Sequence, residues 1–354
     1  MKLKLKRTLY LGYYLKELDR ESFKRFLNHA CEITGRSRAA ICSDLLSSVY
    51  RYNISILEYF QFRYFEKSAA ERRNWAGTGY MYEYQLRMNP LDKRQILDDK
   101  TLFYKNYGDF FVHTVADRED LKNPDTAQKI LFNPSGKIVF KQSDGKCGAQ
   151  VDIRNASDFK PDEIAGYMDS NDYDLVEEFI EQHSHLNLLS PSAVNTVRII
   201  TQLDDMDEVE ILGCRLRISV DSPVDNMGAG NLAAPIDEET GAVSGPAVYS
   251  DITKSDCSVH PITDVKIDGF QVPFWDEILK MVKKAAQQHP QNRSIGWDVV
   301  VTERGPGLIE GNHDWCKLLW QLPVKKGLKP MLEKYSGTES SKKEKRAEPV
   351  SVPS

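Results

Sequence analysis

The chain has 354 residues, 41% hydrophobic and 28% charged, so it can bury a full core over two or three subdomains and reads as soluble and globular. Its net charge of −5 offers no general field for a nucleic-acid backbone, which excludes nucleic acid as a first choice of partner. Six scattered cysteines without a CxxC pair exclude a small disulfide scaffold and an ordinary zinc site, and a reducing, cytoplasmic compartment is expected.

Residues 1–87 repeat apolar positions near the 3.6-residue period, as in "ESFKRFLNHA" and "ISILEYFQFRYFEKSAAERRNW", and predict a helical N-terminal region. Its start, "MKLKLKRTLYLGYYLKEL", interleaves lysine with leucine. A solvated amphipathic helix is the main reading of that start, and contact with an anionic membrane surface is the second. No apolar signal-peptide core is present, and no window approaches the roughly 18 apolar residues of a membrane span. Beyond residue 88, short β-branched runs separated by Gly, Asn, Pro and Asp predict strands at 136–142, 149–153, 174–182, 196–202, 210–220, 297–303 and 307–312. "PFWDEILKMVKKAAQQH" places Phe274, Ile278, Met281, Val282 and Ala285 on one helical stripe. The fold class is α+β with an antiparallel sheet. The expected division is a helical region at 1–87, a linker and small subdomain at 88–185, a larger subdomain at 186–336 and a disordered tail at 337–354.

The segment "GWDVVVTERGPGLIEGNHDW" at 296–315 carries oxygen-bearing side chains on what otherwise looks like sheet core. Alternation puts Asp298, Val300 and Thr302 on one side of the first strand, and Leu308, Glu310 and Asn312 on one side of the second. With "ERGPG" at 303–307 as the loop, the register pairs Val300 with Glu310 and Asp298 with Asn312. Carboxylates this close repel unless a cation or proton lies between them, and an all-oxygen cluster suits Mg²⁺ bound with substrate phosphates. A plain solvated sheet face is the alternative.

In "IVFKQSDGKCGAQVDI" at 138–153, a strand ending in Lys141 runs into a loop holding Gly145 and Gly148. Backbone N–H groups there can approach phosphate while Lys141 adds a point charge, although an ordinary hairpin has the same features. "LVEEFIEQH" offers backbone groups to an adenine edge and a carboxylate to a ribose, or is an edge strand. Arg198, and Arg215 with Arg217 two positions on, either pair with carboxylates structurally or clamp phosphate and carboxylate groups. "DNMGAGNLAAPID" supplies Gly228, Gly230 and Asn231 in a loop able to wrap a ligand, or in a plain turn. His313 either tunes the site or buttresses the strand end. No Ser-His-Asp, Cys-His or HExxH signature is visible.

In this order the segments resemble the ATP-grasp superfamily, and within it the sugar-transfer-associated branch, over roughly residues 88–335. The likeness rests on "WDVVVTERGPGLIEGNHDW", on "SAVNTVRIIT", and on "GAGNLAAPID" followed by "TGAV"; "DDKTLFY" at 98–104 is similar to the Asp-Lys that opens the family's nucleotide-binding region. Two departures stand out: few glycines in the loop 142–149, and Gly311 where many relatives carry an aliphatic residue. The resemblance implies an ATP-grasp fold, two α+β subdomains clasping ATP. It implies Glu310 and Asn312 as ligands of Mg²⁺, with Mn²⁺ as a substitute, and Asp298 at a second ion or its shell. Lys100 and Lys141 would meet the phosphates, with Gly145 and Gly148 covering them. Glu178, Phe179, Ile180 and Glu181 would form the hinge beside the nucleotide and Asn231 would border it, while Arg198, Arg215 or Arg217 would bind the acyl substrate or the γ-phosphate. The family's usual reaction phosphorylates a carboxylate to an acylphosphate that an amine then attacks, by positioning and charge neutralisation. A carboxylate–amine ligase acting on a sugar-linked or polysaccharide-precursor carboxylate, as for a capsule, is therefore expected. A kinase acting on a hydroxyl and a non-catalytic nucleotide-binding protein are the alternatives. Residues 1–87 are left to recognise a polymer, to dock a glycosyltransferase or to form a homodimer.

Overall fold

Asp19, Ser37 and Ser55 start three N-terminal helices by accepting the unpaired N–H groups of the first turn, and Gly35, at φ +66°, ends one of them. The computed structural model describes residues 2–143 and 151–335, so the expected lid glycines Gly145 and Gly148 and the tail 337–354 lie outside the described residues. The helices Lys2–Lys16, Arg20–Thr34, Arg38–Tyr52 and Ile56–Gln61 gather around an aromatic centre that includes Phe26, Tyr59, Phe60, Tyr64 and Trp75. That centre also takes in Met227, Ala233, Val248 and Leu319 from far along the chain. Glu58, buried at this junction, pairs with Lys317 at 3.0 Å and accepts the Thr78 N–H at 2.9 Å. The next helix, Thr78–Met88, lays Met81, Tyr84 and Met88 against Ile200, Leu212, Trp315 and Trp320. No helix among the described residues is long and apolar enough to cross a membrane.

Two antiparallel sheets follow. The smaller holds β1 (Val115–Ala116), β2 (Lys137–Lys141), β3 (Val151–Asn155) and β4 (Leu175–Glu178) in the order β1-β4-β2-β3. Its Ile138, Phe140 and Val176 pack against Ile130, Ile164 and Met168 of the helices Pro124–Leu131 and Ile164–Asn171. The larger holds β5 (Val197–Leu203), β6 (Val209–Ile218), β7 (Leu232–Ile236), β8 (Ser294–Thr302) and β9 (Gly305–Asn312) in the order β7-β6-β5-β8-β9. Val197, Ile199, Trp297, Val299 and Val301 share a core with Ile278, Val282 and Ala285 of the helix Trp275–Gln288, which leaves the alternate residues on the opposite face.

Three expectations change. The strand expected over 174–182 ends at Glu178, and Phe179–Glu181 continue without regular structure. The segment expected as a wrapping loop contributes β7, at the end of the sheet, where Pro235 lacks an N–H to give and its carbonyl accepts from the Ser244 N–H at 2.9 Å. The hairpin expected to hold a metal turns on Glu303 and Arg304 alone, with Gly305 at φ +117°, and its register pairs Asp298 with Glu310 and Gly296 with Asn312. A bulge between Asp298 and Val299 then sets Leu308 opposite Val299 and into the core. Leu308 therefore does not share a face with Glu310. The expected convergence of Asp298, Glu310 and Asn312 survives because the bulge absorbs the shift.

Candidate active-site cleft

Residues of both sheets line one cavity of about 1020 Å³. The smaller sheet supplies Lys141, Leu175 and Glu177, and the larger supplies Arg198, Arg217, Asp298, Glu310 and Asn312. Lys100 joins them from the first turn of the helix Lys100–Tyr107, which Asp99 starts by accepting the Leu102 N–H at 2.8 Å.

A charged cluster is built on Asp298. Arg198 Nη2 and Arg217 Nη1 each reach Asp298 Oδ2 at 2.8 Å, and Arg198 Nε takes Oδ1. Burial alone would raise the Asp298 pKa, but the two guanidinium charges override it and hold the carboxyl well below the usual range. Arginines thus engage both oxygens of Asp298, the residue expected at a second ion or in its shell. Glu310, opposite it on β9, is exposed to the cavity, yet its depth between protein walls and the charge of Asp298 push its pKa up to about 7. Asn312 Nδ2 donates to Glu310 Oε1 at 3.1 Å and to the Gly296 carbonyl at 3.3 Å, so its Oδ1 is the atom left to meet a cation. Among the described residues no group of three or more His, Cys, Asp or Glu side chains could hold a metal. A donor set of one carboxylate and one amide oxygen suits a hard cation that keeps waters and phosphate oxygens, as Mg²⁺ does, and does not suit a closed zinc site.

Beside this cluster the lysines converge, near enough for Glu310 to act on the Lys141 charge. Lys141 is ion-paired with Glu177, and burial together with nearby Lys100 brings its pKa down to about 8. Lys100 Nζ donates to the Gln142 carbonyl at 3.3 Å. Two ammonium groups drawn together in this way favour an anion between them. Glu177 also accepts from His113 Nε2 at 3.0 Å; burial, then the charge of Lys141, pulls the His113 pKa down to about 3, so the ring is neutral. Its Nδ1 is buried without a hydrogen-bond partner among the described residues.

Other expected residues lie elsewhere. Arg215 does not line the cavity: its guanidinium donates to the Trp320 carbonyl at 3.0 and 2.6 Å and to the Cys214 carbonyl at 2.7 Å, and burial lowers its pKa to about 10. Asn231 is buried, accepting the Val220 N–H at 2.8 Å and donating to the Val224 carbonyl at 2.7 Å, so it shapes the loop from inside. Glu178 turns from the cavity to pair with Arg304 at 2.8 Å, tying the hinge to the hairpin tip. Phe179, under the Lys137 ammonium at 5.4 Å, Ile180 and Glu181 do not line the cavity either. His313, by contrast, does line the cavity, where its Nε2 meets Asp98 at 2.8 Å at the strand end.

Glu177 and Asp225 were not singled out by the sequence. Glu177 shares with Glu178 a segment whose alternation leaves open which carboxylate faces the cleft. Asp225 takes Arg217 at 2.7 Å and the Thr196 N–H at 2.8 Å, long-range contacts with no local signal.

Two antiparallel sheets lining one cavity, with Lys141 on one and a carboxylate–amide pair on the other, make this an ATP-grasp fold. The chain belongs to the sugar-transfer associated ATP-grasp family, whose model matches residues 80–336. Among solved structures it is similar to the ATP-grasp ligase PsnB complexed with minimal precursor, at 12% identity and a TM-score of 0.42, over 71% of this chain and 63% of that one. It is similar to a biotin carboxylase–ATP complex from Campylobacter jejuni at 11% and 0.39, over 73% and 48%. It is also similar to D-alanine–D-alanine ligase from Bacillus anthracis at 14% and 0.35, over 70% of each chain. The chain thus spans less than two thirds of the first two, and the low TM-scores add nothing to the family assignment. No curated protein matches the chain significantly.

Proposed function

We propose that this protein is an ATP-dependent carboxylate–amine ligase acting on a sugar-linked or polysaccharide-precursor carboxylate. The observation that carries the reading is the meeting of Lys100 and Lys141 with Arg217, Glu310 and Asn312 around one cavity. Lys100 and Lys141 would hold the outer phosphates of ATP, and Mg²⁺ held by Glu310 and Asn312 would supply neutralisation of the phosphate charge. Arg217, held in place by Asp225 and Asp298, would orient the acyl carboxylate. An oxygen of that carboxylate attacks the γ-phosphorus as the bond to the β-phosphate oxygen breaks, and ADP leaves. The amine nitrogen then attacks the acyl carbon, phosphate leaves, and the nitrogen gives up a proton to solvent or phosphate. Arg198, more deeply tied to Asp298, would act by placing it. No side-chain nucleophile is required.

Thermal stabilisation by ATP tests the reading. Ligand at ~100 times its dissociation constant adds ~2.7 kcal/mol, so the wild type should show a Mg-dependent rise in melting temperature. Glu310→Ala should lose that rise while its metal-free melting temperature stays close to wild type, since the residue faces the cavity and is repelled by Asp298. Phosphate release should then require both a carboxylate and an amine. A stable phosphorylated product without amine would make the protein a kinase, binding without turnover would make it a non-catalytic nucleotide-binding protein, and no stabilisation at all would end the nucleotide reading.

A further inference from the structure

The cavity continues to a wall that the family match does not include. Arg25 and Phe26 on the helix Arg20–Thr34, with Leu57 and Gln61 on the helix Ile56–Gln61, line it, and all four precede residue 80. A run of contacts leads there from the β8–β9 hairpin. Asp298 holds Arg217, and Arg217 holds Asp225 at 2.7 Å. Two positions on, the Met227 carbonyl accepts from Ser250 Oγ at 3.2 Å, and the Ser250 carbonyl accepts from Gln61 Nε2 at 3.3 Å. Arg25 then meets Asp251 at 3.0 Å. This connects the helical wall to Arg217, beside which the acyl or amine substrate would lie, with Lys100 and Lys141 left to the phosphates.

The wall carries more positive than negative charge. Arg25 stacks over Phe26 at 5.4 Å, and its contacts with Ser22 and Asp251 both run from Nη2, so Nε and Nη1 have donors to give a ligand. Lys254, also lining the cavity, holds its ammonium 4.3 Å over the Tyr249 ring. Asp251 offsets one of these two cations and leaves the other for an incoming anion. We propose that Arg25 and Lys254 recognise an anionic group, phosphate or carboxylate, on the acceptor at a point remote from its reacting carboxylate, with Leu57 and the Tyr249 ring against its body. The helical N-terminal region would then set substrate specificity. The inference rests on the ligase reading and deepens it.

Calorimetric titration of the full-length protein tests it, first with MgADP and then, in the MgADP complex, with glucose 6-phosphate, glucuronate and glucose. At least one anionic sugar should bind the wild type about tenfold more tightly than glucose, and the Arg25→Ala/Lys254→Ala double variant should lose about that tenfold with MgADP affinity unchanged. The arm that binds identifies the anionic group. Arg25→Lys should retain part of the preference, which separates charge recognition from a structural defect. Intact nucleotide binding with no preference for either anionic sugar, or with a preference the double variant keeps, would overturn this proposal alone. A wild type that fails to bind MgADP would overturn the ligase reading and this inference with it.

Discussion

Removing the carboxylate of Asp298 would strip buried Arg198 of its ion-pair partner and leave Arg217 with Asp225 alone. Breaking a buried pair in this way costs about 3–5 kcal/mol, so Asp298→Asn should lower stability by that order in urea denaturation as well as abolish turnover. A stable, inactive variant would favour a metal-ligand role for Asp298. Lys141 makes a different prediction. Its folded-state pKa of about 8 lies below its ordinary value of 10.5, so its charged form costs the folded state. That cost stands in full below about pH 8 and disappears as the pH rises toward 10.5, so this group's contribution to stability grows across that window. A phosphate between Lys141 and Lys100 reverses the preference for the neutral form. ATP binding at about pH 9 should therefore take up a proton, measured by calorimetry in two buffers of different ionisation enthalpy. Lys141→Arg should abolish the uptake, and uptake that persists belongs to another group.

At the scale of elements, the β8–β9 hairpin shows how one extra residue decides what a face carries. Its bulge lets Leu308 join the core while Glu310, two positions later, faces the cleft. Gly311 on the same strand has a steric reason: a Cβ there would meet Leu97 and Phe103 at 3.1 Å and Trp297 at 3.2 Å. The helices carrying Leu97 and Lys100 can therefore lie close on β9, which brings Lys100 to the cavity. The helix Ile56–Gln61 depends on Glu58, which completes a capping box with Ser55, accepts from Thr78 and pairs with Lys317. Burial would lower the Lys317 pKa, but Glu58 raises it above its ordinary value. Glu58→Ala removes the cap and strands a buried ammonium, so a loss of about 3–5 kcal/mol in chemical denaturation is expected. A loss of only a few tenths would mean that the junction is wet and that the helices are held by their aromatic contacts alone.

Across the whole molecule, the N-terminal helices and the larger sheet share a hydrophobic cluster, whereas the smaller sheet has its own, built on Ile138, Phe140, Ile164 and Met168. The helices and the larger sheet should accordingly open as one unit. Hydrogen exchange should give amides of Arg38–Tyr52 and of β5 similar opening free energies, with β2 and β4 free to open at lower cost. Faster exchange of the helices as a block would show a separately folding region and weaken their assignment as a cavity wall. Among the described residues, links between the smaller sheet and the rest of the chain include the Arg304–Glu178 pair and the bonds from Lys100 to the Ser143 and Gln142 carbonyls.

The α+β class, most of the strands, and the gathering of Asp298, Glu310 and Asn312 on one face were legible in the sequence, because strand alternation and helical spacing are local. Lys141 was legible from the strand it ends, whereas Lys100 and the order of segments came from the resemblance to the family. Only the tertiary structure decided which face each layer covers. Arg215 and Arg217 sit two apart on one strand, yet Arg215 is spent on the Trp320 carbonyl of the segment crossing the sheet while Arg217 is open to the cleft. Glu177 and Glu178 alternate equally well, and only the helices packed behind Val176 turn Glu177 toward Lys141. The partners of Asp298 and the wall at Arg25 lie far apart in the chain, so no local pattern records them; packing brings them together.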